Sequence, residues 1–184
     1  MNVIRKFETT VDAVSDYQIG DQIRLGKYTA TCQKVTEQGA IFLLDQYLDK
    51  AYQMNSEWTN EGGYEASELR RNLNADFAVD PEFDDIRDSL APFENGDLVR
   101  IPTVGEFFGK DDFYEMDDAE QWPLMKDRRN RVAIRDGEEY EWGWLQNKVK
   151  ESAANFALVT NAGPANYAGA SDSFGVRPVL MLVK

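Results

Sequence analysis

Apolar and polar positions alternate early in the chain: Ile23 and Leu25, then Tyr28, Ala30 and Cys32, each sit between polar neighbours. A period of two is the pattern of half-buried strands, and Gly26-Lys27 supplies a turn between them. A second turn at residues 37–39 leads into the apolar run 40–44, short enough for a buried strand. The N-terminal third therefore reads as a β-meander, behind a polar leader at residues 1–16.

From Ser67 the period changes. Leu69, Leu73 and Phe77 recur every four residues with no interior Gly or Pro, and Ser67 stands as N-cap, which predicts an amphipathic helix. Asp80 as cap, Pro81 at the first helical position, acids in the first turn, and Phe83, Ile86 and Leu90 on one face predict a second helix. Asn95-Gly96 is a turn into a short strand at 98–101. Thr103-Val104-Gly105-Glu106 has the spacing of a capping box ahead of a short helix anchored by Phe107 and Phe108.

Acids then dominate to residue 121 and periodicity fades, which predicts a long loop with room for one helical turn, followed by a helical stretch at 125–131. Strands are expected at 132–134, 141–145 and 156–160, with an Asp136-Gly137 turn, and a closing strand at 176–183. Residues 161–174 are rich in Gly, Ala, Asn and Ser and are expected to be loop. Strands, helices and strands again, with no internal repeat or domain linker, predict one α+β domain. Its antiparallel sheet is expected to bring the first and last strands together.

Composition narrows the chemistry. A chain of 184 residues with 10 Phe, 8 Tyr and 4 Trp can build one core without disulfides or metal. The formal net charge of −13 opposes a phosphate backbone, and Arg128, Arg129 and Arg131 are flanked by acids, so nucleic acid and anionic membrane are poor partners. Solubility accounts for that charge more simply than a cation-binding surface does. Cys32 is the only cysteine and lies in an apolar alternating stretch, which reads as core rather than nucleophile. No stretch has the length of a membrane span or a signal peptide, so a cytoplasmic protein is expected. The chain contains no histidine, which removes Ser-His-Asp and Cys-His arrangements and His-ligated zinc.

Four segments, in order, resemble a family of bacterial and phage proteins with a C-type-lectin-like fold related to the sulfatase-modifying-factor domains. The first is Ile19-Gly20-Asp21 through Leu25-Gly26-Lys27-Tyr28. The second is the helix Ser67, Leu69-Arg70, Leu73-Asn74 and Phe77, with Asn72 where the family commonly has Trp. The third is Val99-Arg100-Ile101-Pro102-Thr103 with Glu106 and Phe108-Gly109. The fourth joins Trp144-Leu145, Phe156-Ala157-Leu158-Val159 and Phe174-Gly175-Val176-Arg177-Pro178-Val179-Leu180, with Gln146-Asn147 where an Arg-Ser pair is usual.

The resemblance implies that the termini share one sheet, with two main helices, and that a long region between the late strands presents a variable surface binding sugars, proteins or receptors. The candidate ligand-binding residues are Trp142, Trp144, Gln146, Asn147, Asn155, Asn161, Asn166, Tyr167, Asp172 and Ser173. Flat rings with amides and hydroxyls suit sugar or protein recognition at low entropic cost. The competing reading places Trp144 in the core and gives the Asn and Ser residues to turn geometry.

Other features read more plainly. Asp111, Asp112, Glu115, Asp117 and Asp118 offer hard oxygen ligands for calcium but lack the spacing of a calcium loop, and Trp58-Thr59-Asn60 resembles a lectin sugar-and-calcium motif only superficially. No cofactor is expected. Arg70 and Arg177 are expected to satisfy loop carbonyls or pair with an acid such as Glu106, and Gly175 to permit a close approach or a bulge. The formylglycine-generating relatives of this fold depend on a cysteine pair that this chain lacks. The expectation is a non-enzymatic ligand- or receptor-binding module, phage- or prophage-encoded and virion-associated in one version. Its alternatives are a structural or assembly subunit that forms a homo-oligomer, and a catalytic domain.

Overall fold

The computed structural model describes residues 17–135, 137 and 139–183. The leader at 1–16, and Asp136 of the expected Asp136-Gly137 turn, lie outside them. Four strands open the fold: β1 (Gln22–Leu25), β2 (Tyr28–Val35), β3 (Gly39–Leu44) and the short β4 (Tyr52–Gln53). β1, β2 and β3 form the meander that the alternation predicts, each pair antiparallel.

Helix α1 (Gly63–Ala66) ends at Ser67, whose hydroxyl then caps α2 (Glu68–Val79) by accepting from Arg70 N. Leu69, Leu73 and Phe77 are buried along one face of α2, as their spacing requires. Asp80 caps the next segment, Pro81–Ser89, by accepting from Glu82 N. The expected second helix is thus present, in 3-10 geometry, and α2 is the only helix longer than five residues with α geometry among the described residues.

Beyond β5 (Val99–Arg100), Thr103 and Glu106 form the complete capping box of α3 (Val104–Phe108). Two 3-10 turns, Pro123–Lys126 and Arg128–Asn130, take the place of the helical stretch expected near 125–131. The remaining strands are β6 (Ala133–Ile134), β7 (Tyr140–Glu141), β8 (Gly143–Lys148), β9 (Asn155–Val159), β10 (Ala165–Gly169), β11 (Ser173–Phe174) and β12 (Val179–Val183).

The main sheet has the order β1-β2-β3-β12-β5. The closing strand thus joins the sheet of the first strands, but it pairs with β3 and β5 rather than with β1. A second sheet has the order β10-β9-β8. Residues 161–174 are therefore not the loop that their composition predicts. β10 pairs with β9 through five residues, and β11 pairs with β4. Small residues suffice in β10 because the strand forms an edge and because the indole of Trp58 lies directly over Gly169.

Both sheets feed two cores. Phe42, Leu44, Leu180, Trp144, Phe156 and Leu158 pack with Leu69, Leu73, Phe77 and Phe83. Leu43, Val179, Leu145, Ala157 and Val159 pack with Val104, Phe107, Trp122 and Met125 on the opposite side. The fold is α+β with mainly antiparallel sheets. No helix among the described residues is long and apolar enough to cross a membrane.

Candidate functional site

The ten candidate residues do not converge on one spot. Trp144 is 1% exposed, and its indole donates to Tyr52 O at 2.8 Å inside the core. The pairing of β8 with β9 shifts register between Trp144 and Lys148, and this irregularity turns Gln146 and Asn147 toward α3. Gln146 donates to Ile101 O at 2.6 Å. Asn147 accepts from Val104 N at 2.7 Å and donates to Glu115 O at 2.8 Å and Asp117 Oδ2 at 3.0 Å. Both amides hold the start of α3 and the acidic loop in place. Trp144 and Asn147 are too deeply buried to touch a ligand, and Gln146 is committed to the fold.

Trp142 stacks on Phe174 with ring centroids 5.9 Å apart, and its indole donates to Asn161 Oδ1 at 3.2 Å. Ser173 pairs with Gln53 between β11 and β4. Asn166 and Asp172 have a shared task at the free edge of β10. Asn166 Oδ1 accepts from Tyr167 N at 2.9 Å, and Asp172 Oδ2 accepts from Gly169 N at 3.1 Å. Two backbone donors of an edge strand are thus occupied by side-chain oxygens, which blunts the strand as a template for pairing with another chain.

Tyr167 leads to a different surface. Residues two apart on a strand share a face, and directly opposed residues of an antiparallel pair do so as well. Tyr167 lies opposite Ala157 and Gly169 opposite Asn155, so Tyr167, Asn155 and the Cα of Gly169 form one face. Phe113 packs against Tyr167 at 5.5 Å between centroids. A methyl group on Gly169 would sit 2.2 Å from Trp58 Nε1, so Trp58 rests on the same face. Trp58, Phe113 and Tyr167 are 70%, 49% and 46% exposed, forming a row of aromatic rings at the outer strand of the second sheet.

Each ring is held by its own backbone. The buried amides of Asn55 and Asn60 flank Trp58: Asn55 donates to Thr59 O at 2.8 Å, while Asn60 donates to Ser152 O at 2.8 Å and Asn155 O at 3.0 Å. Asn60 thereby ties its amide NH2 to carbonyl oxygens of the fold. Asp111 Oδ1 accepts from Phe113 N at 3.0 Å, Lys150 N donates to Phe113 O at 3.1 Å, and Tyr114 OH donates to Asn166 O at 2.9 Å. The rings are exposed, yet their loops are anchored. Trp58 and Phe113 are missing from the sequence-based candidates. A signal for Trp58 does exist, since an indole within the polar run 55–63 has no amphipathic stripe to bury it.

The acids of the 111–118 loop serve local turns and pairs. Asp117 Oδ1 accepts from Ala119 N at 2.7 Å, and Glu115 pairs with Lys148 at 3.2 Å. Arg70 forks onto Asp97 at 2.6 and 3.0 Å. The partner of Glu106 is Arg100, 2.9 Å from Nη1 to Oε2. Arg177 instead donates to the carbonyls of Leu44, Asn130 and Arg131, and burial pulls its guanidinium pKa downward.

A cavity of about 330 Å³ opens between the β1–β2 turn, β4, α2 and the 3-10 segment, with Asp49, Asp76, Asp80 and Glu82 on its walls. Each carboxylate is engaged. Asp49 pairs with Lys27, whose ammonium holds it below the usual carboxylate range. Asp76 accepts from Tyr52 OH at 2.8 Å and pairs with Lys50, Asp80 caps Glu82 N, and Glu82 accepts from Lys27 N at 2.6 Å. Burial pushes the Cys32 thiol up to about 11, consistent with a core residue and not a thiolate nucleophile. No family model, curated protein or solved structure matches this chain, so the anchored aromatic row of Trp58, Tyr167 and Phe113 stands as its candidate site on geometry alone.

Proposed function

We propose that the chain is a non-enzymatic binding module of C-type-lectin-like type that recognises a protein or glycan ligand through the face carrying Trp58, Tyr167, Phe113 and Asn155. The observation that carries this reading is the row itself. Three large rings stand exposed together while their backbones are pinned by buried amides and strand contacts. Rigid aromatic groups lose little entropy on contact and commonly dominate recognition surfaces. The C-type-lectin-like assignment rests on the four ordered segments, and it is supported by a closing strand that lies in the sheet of the opening ones. A phage or prophage origin follows from the same resemblance.

The non-catalytic part of the proposal rests on side chains already committed to the fold. The carboxylates around the 330 Å³ cavity are taken by lysines, a tyrosine hydroxyl and backbone amides.

A glycan array combined with a pull-down from bacterial envelope material tests the reading. Retention by the full chain that is lost in the Trp58→Ala and Tyr167→Ala variants is the expected result. Blank results in both arms with folded protein sink it. A stable oligomer in light scattering that buries Trp58 and Tyr167 would transfer the surface to an assembly role.

A further inference from the structure

The charge around the aromatic row narrows the partner. The segment that carries Phe113 is acidic, with Asp111 and Asp112 just before the ring and Glu115 just after it, against Lys110. Glu57 precedes Trp58 and is exposed, and the exposed Asp172 holds its carboxylate at the backbone N–H of Gly169, the glycine that the indole covers. The basic side chains nearby are Lys110, Lys148, already paired with Glu115, and Lys150. Exposed ring faces beside carboxylates suit guanidinium and ammonium groups, which gain cation–π attraction over the ring and an ion pair at its rim.

Resting on the binding-module reading above, we infer that the occupant of this face is a basic polypeptide surface that lays Arg or Lys side chains across Trp58 and Tyr167. Charge complementarity selects it. With a formal net charge of −13, a second copy of this chain is repelled, and an acidic partner is repelled likewise. Strand addition is disfavoured because Asn166 and Asp172 already occupy the edge donors at Tyr167 N and Gly169 N. The contact is therefore made by side chains over rings, not by a shared backbone ladder.

The chain demonstrates this chemistry at other places. Lys50 lies 4.7 Å from the centroid of the Tyr52 ring while pairing with Asp76, and Lys27 lies 5.2 Å from that of Tyr28 while pairing with Asp49. At the exposed row the rings and acids are present, and the cations would come from the partner.

The test titrates the full chain with a short arginine-glycine repeat peptide and follows amide and indole NMR shifts. Expected are saturable shifts centred on the Trp58 indole, Tyr167 and Gly169, and affinity that falls about tenfold or more on Trp58→Ala or Tyr167→Ala. Neutralising exposed acids elsewhere, Asp85→Asn with Asp88→Asn, should change affinity less than twofold. The mapping on the unaltered chain holds even where a variant fails to fold. Shifts spread over the whole acidic surface, equal binding by the aromatic variants, or no binding overturn the inference. A neutral oligosaccharide that binds at Trp58 while the peptide does not would overturn the basic partner and leave the binding-module reading standing. Binding of neither probe, with a blank glycan array and envelope pull-down, removes both.

Discussion

The ring of Tyr47 lies flat against the backbone of Gly175: a methyl group on that glycine would stand 2.6 Å from the ring. A methyl group on Gly143 would meet the same ring at 2.4 Å, and the two glycines bridge each other in parallel. Gly175 N donates to Trp142 O and Trp144 N donates to Gly175 O, both at 3.0 Å, so the backbone cannot slide away from the ring. Gly175→Ala should therefore destabilise the fold by about 1–3 kcal/mol, the usual cost of overpacking. A second change, Gly143→Ala, should cost less in that background than alone, because one displaced ring relieves both clashes. Urea unfolding of the single and double variants measures this.

Glu106 joins two structures at once. It closes the capping box of α3 and receives the fork of Arg100, with only 7% of its side chain exposed and 14% of its partner's. Removing its charge leaves a guanidinium without its carboxylate in a largely dry setting. Glu106→Gln is expected to cost about 3 kcal/mol, in the range for breaking a buried pair on one side. Chemical denaturation that shows less than about 1 kcal/mol would mean that the pair is solvated.

Glu151 adopts φ of 59° in the turn between β8 and β9, a left-handed conformation that suits glycine better. Glu151→Gly should raise stability by up to about 1 kcal/mol, the strain of such a residue set against the added freedom of the unfolded chain. A lower melting temperature would show that the side chain makes a contact worth more than the strain.

Alkaline pH should weaken the fold through Cys32. Burial raises its thiol pKa to about 11, whereas an exposed thiol titrates near about 8.5. The folded state then holds the proton more tightly than the unfolded state. The stabilising contribution is present below pH ~8.5 and is lost as pH rises toward ~11. Burial raises Tyr47 and Tyr114 in the same sense, to about 12, so their contribution disappears only above pH ~10. Cys32→Ala should flatten the first part of this decline and leave the second. Melting curves between pH 8 and 12 separate the two.

Elements specified by local chemistry were legible in the sequence. Ser67 caps α2, Asp80 opens the next segment on Pro81, and Thr103 with Glu106 builds the capping box, because each signal lies within four residues of what it controls. Features that depend on distant partners were not. Ala165 to Gly169 has a loop composition and becomes a strand because β9 supplies the ladder and Trp58, over a hundred residues earlier, covers Gly169. The sequence points Gln146 and Asn147 at a ligand, but the register shift in β8 gives them to Ile101 and Val104. Tyr167 alone among the ten candidates lies in the aromatic row, with Asn155 beside it, and Trp58 and Phe113 join them from segments that no single motif connects.

The capped edge of β10 bears on how this surface can change over generations. Tyr167 projects from the outermost strand, and the ladder that fixes that strand runs entirely on its inner side. Exchanging the side chain at residue 167 alters what the outside world meets without moving a hydrogen bond of the sheet. The position is thus a socket: the frame can be inherited intact while the fitting is swapped, and a library varied at residues 58, 113 and 167 should keep its fold far more often than one varied at 144, 147 and 175.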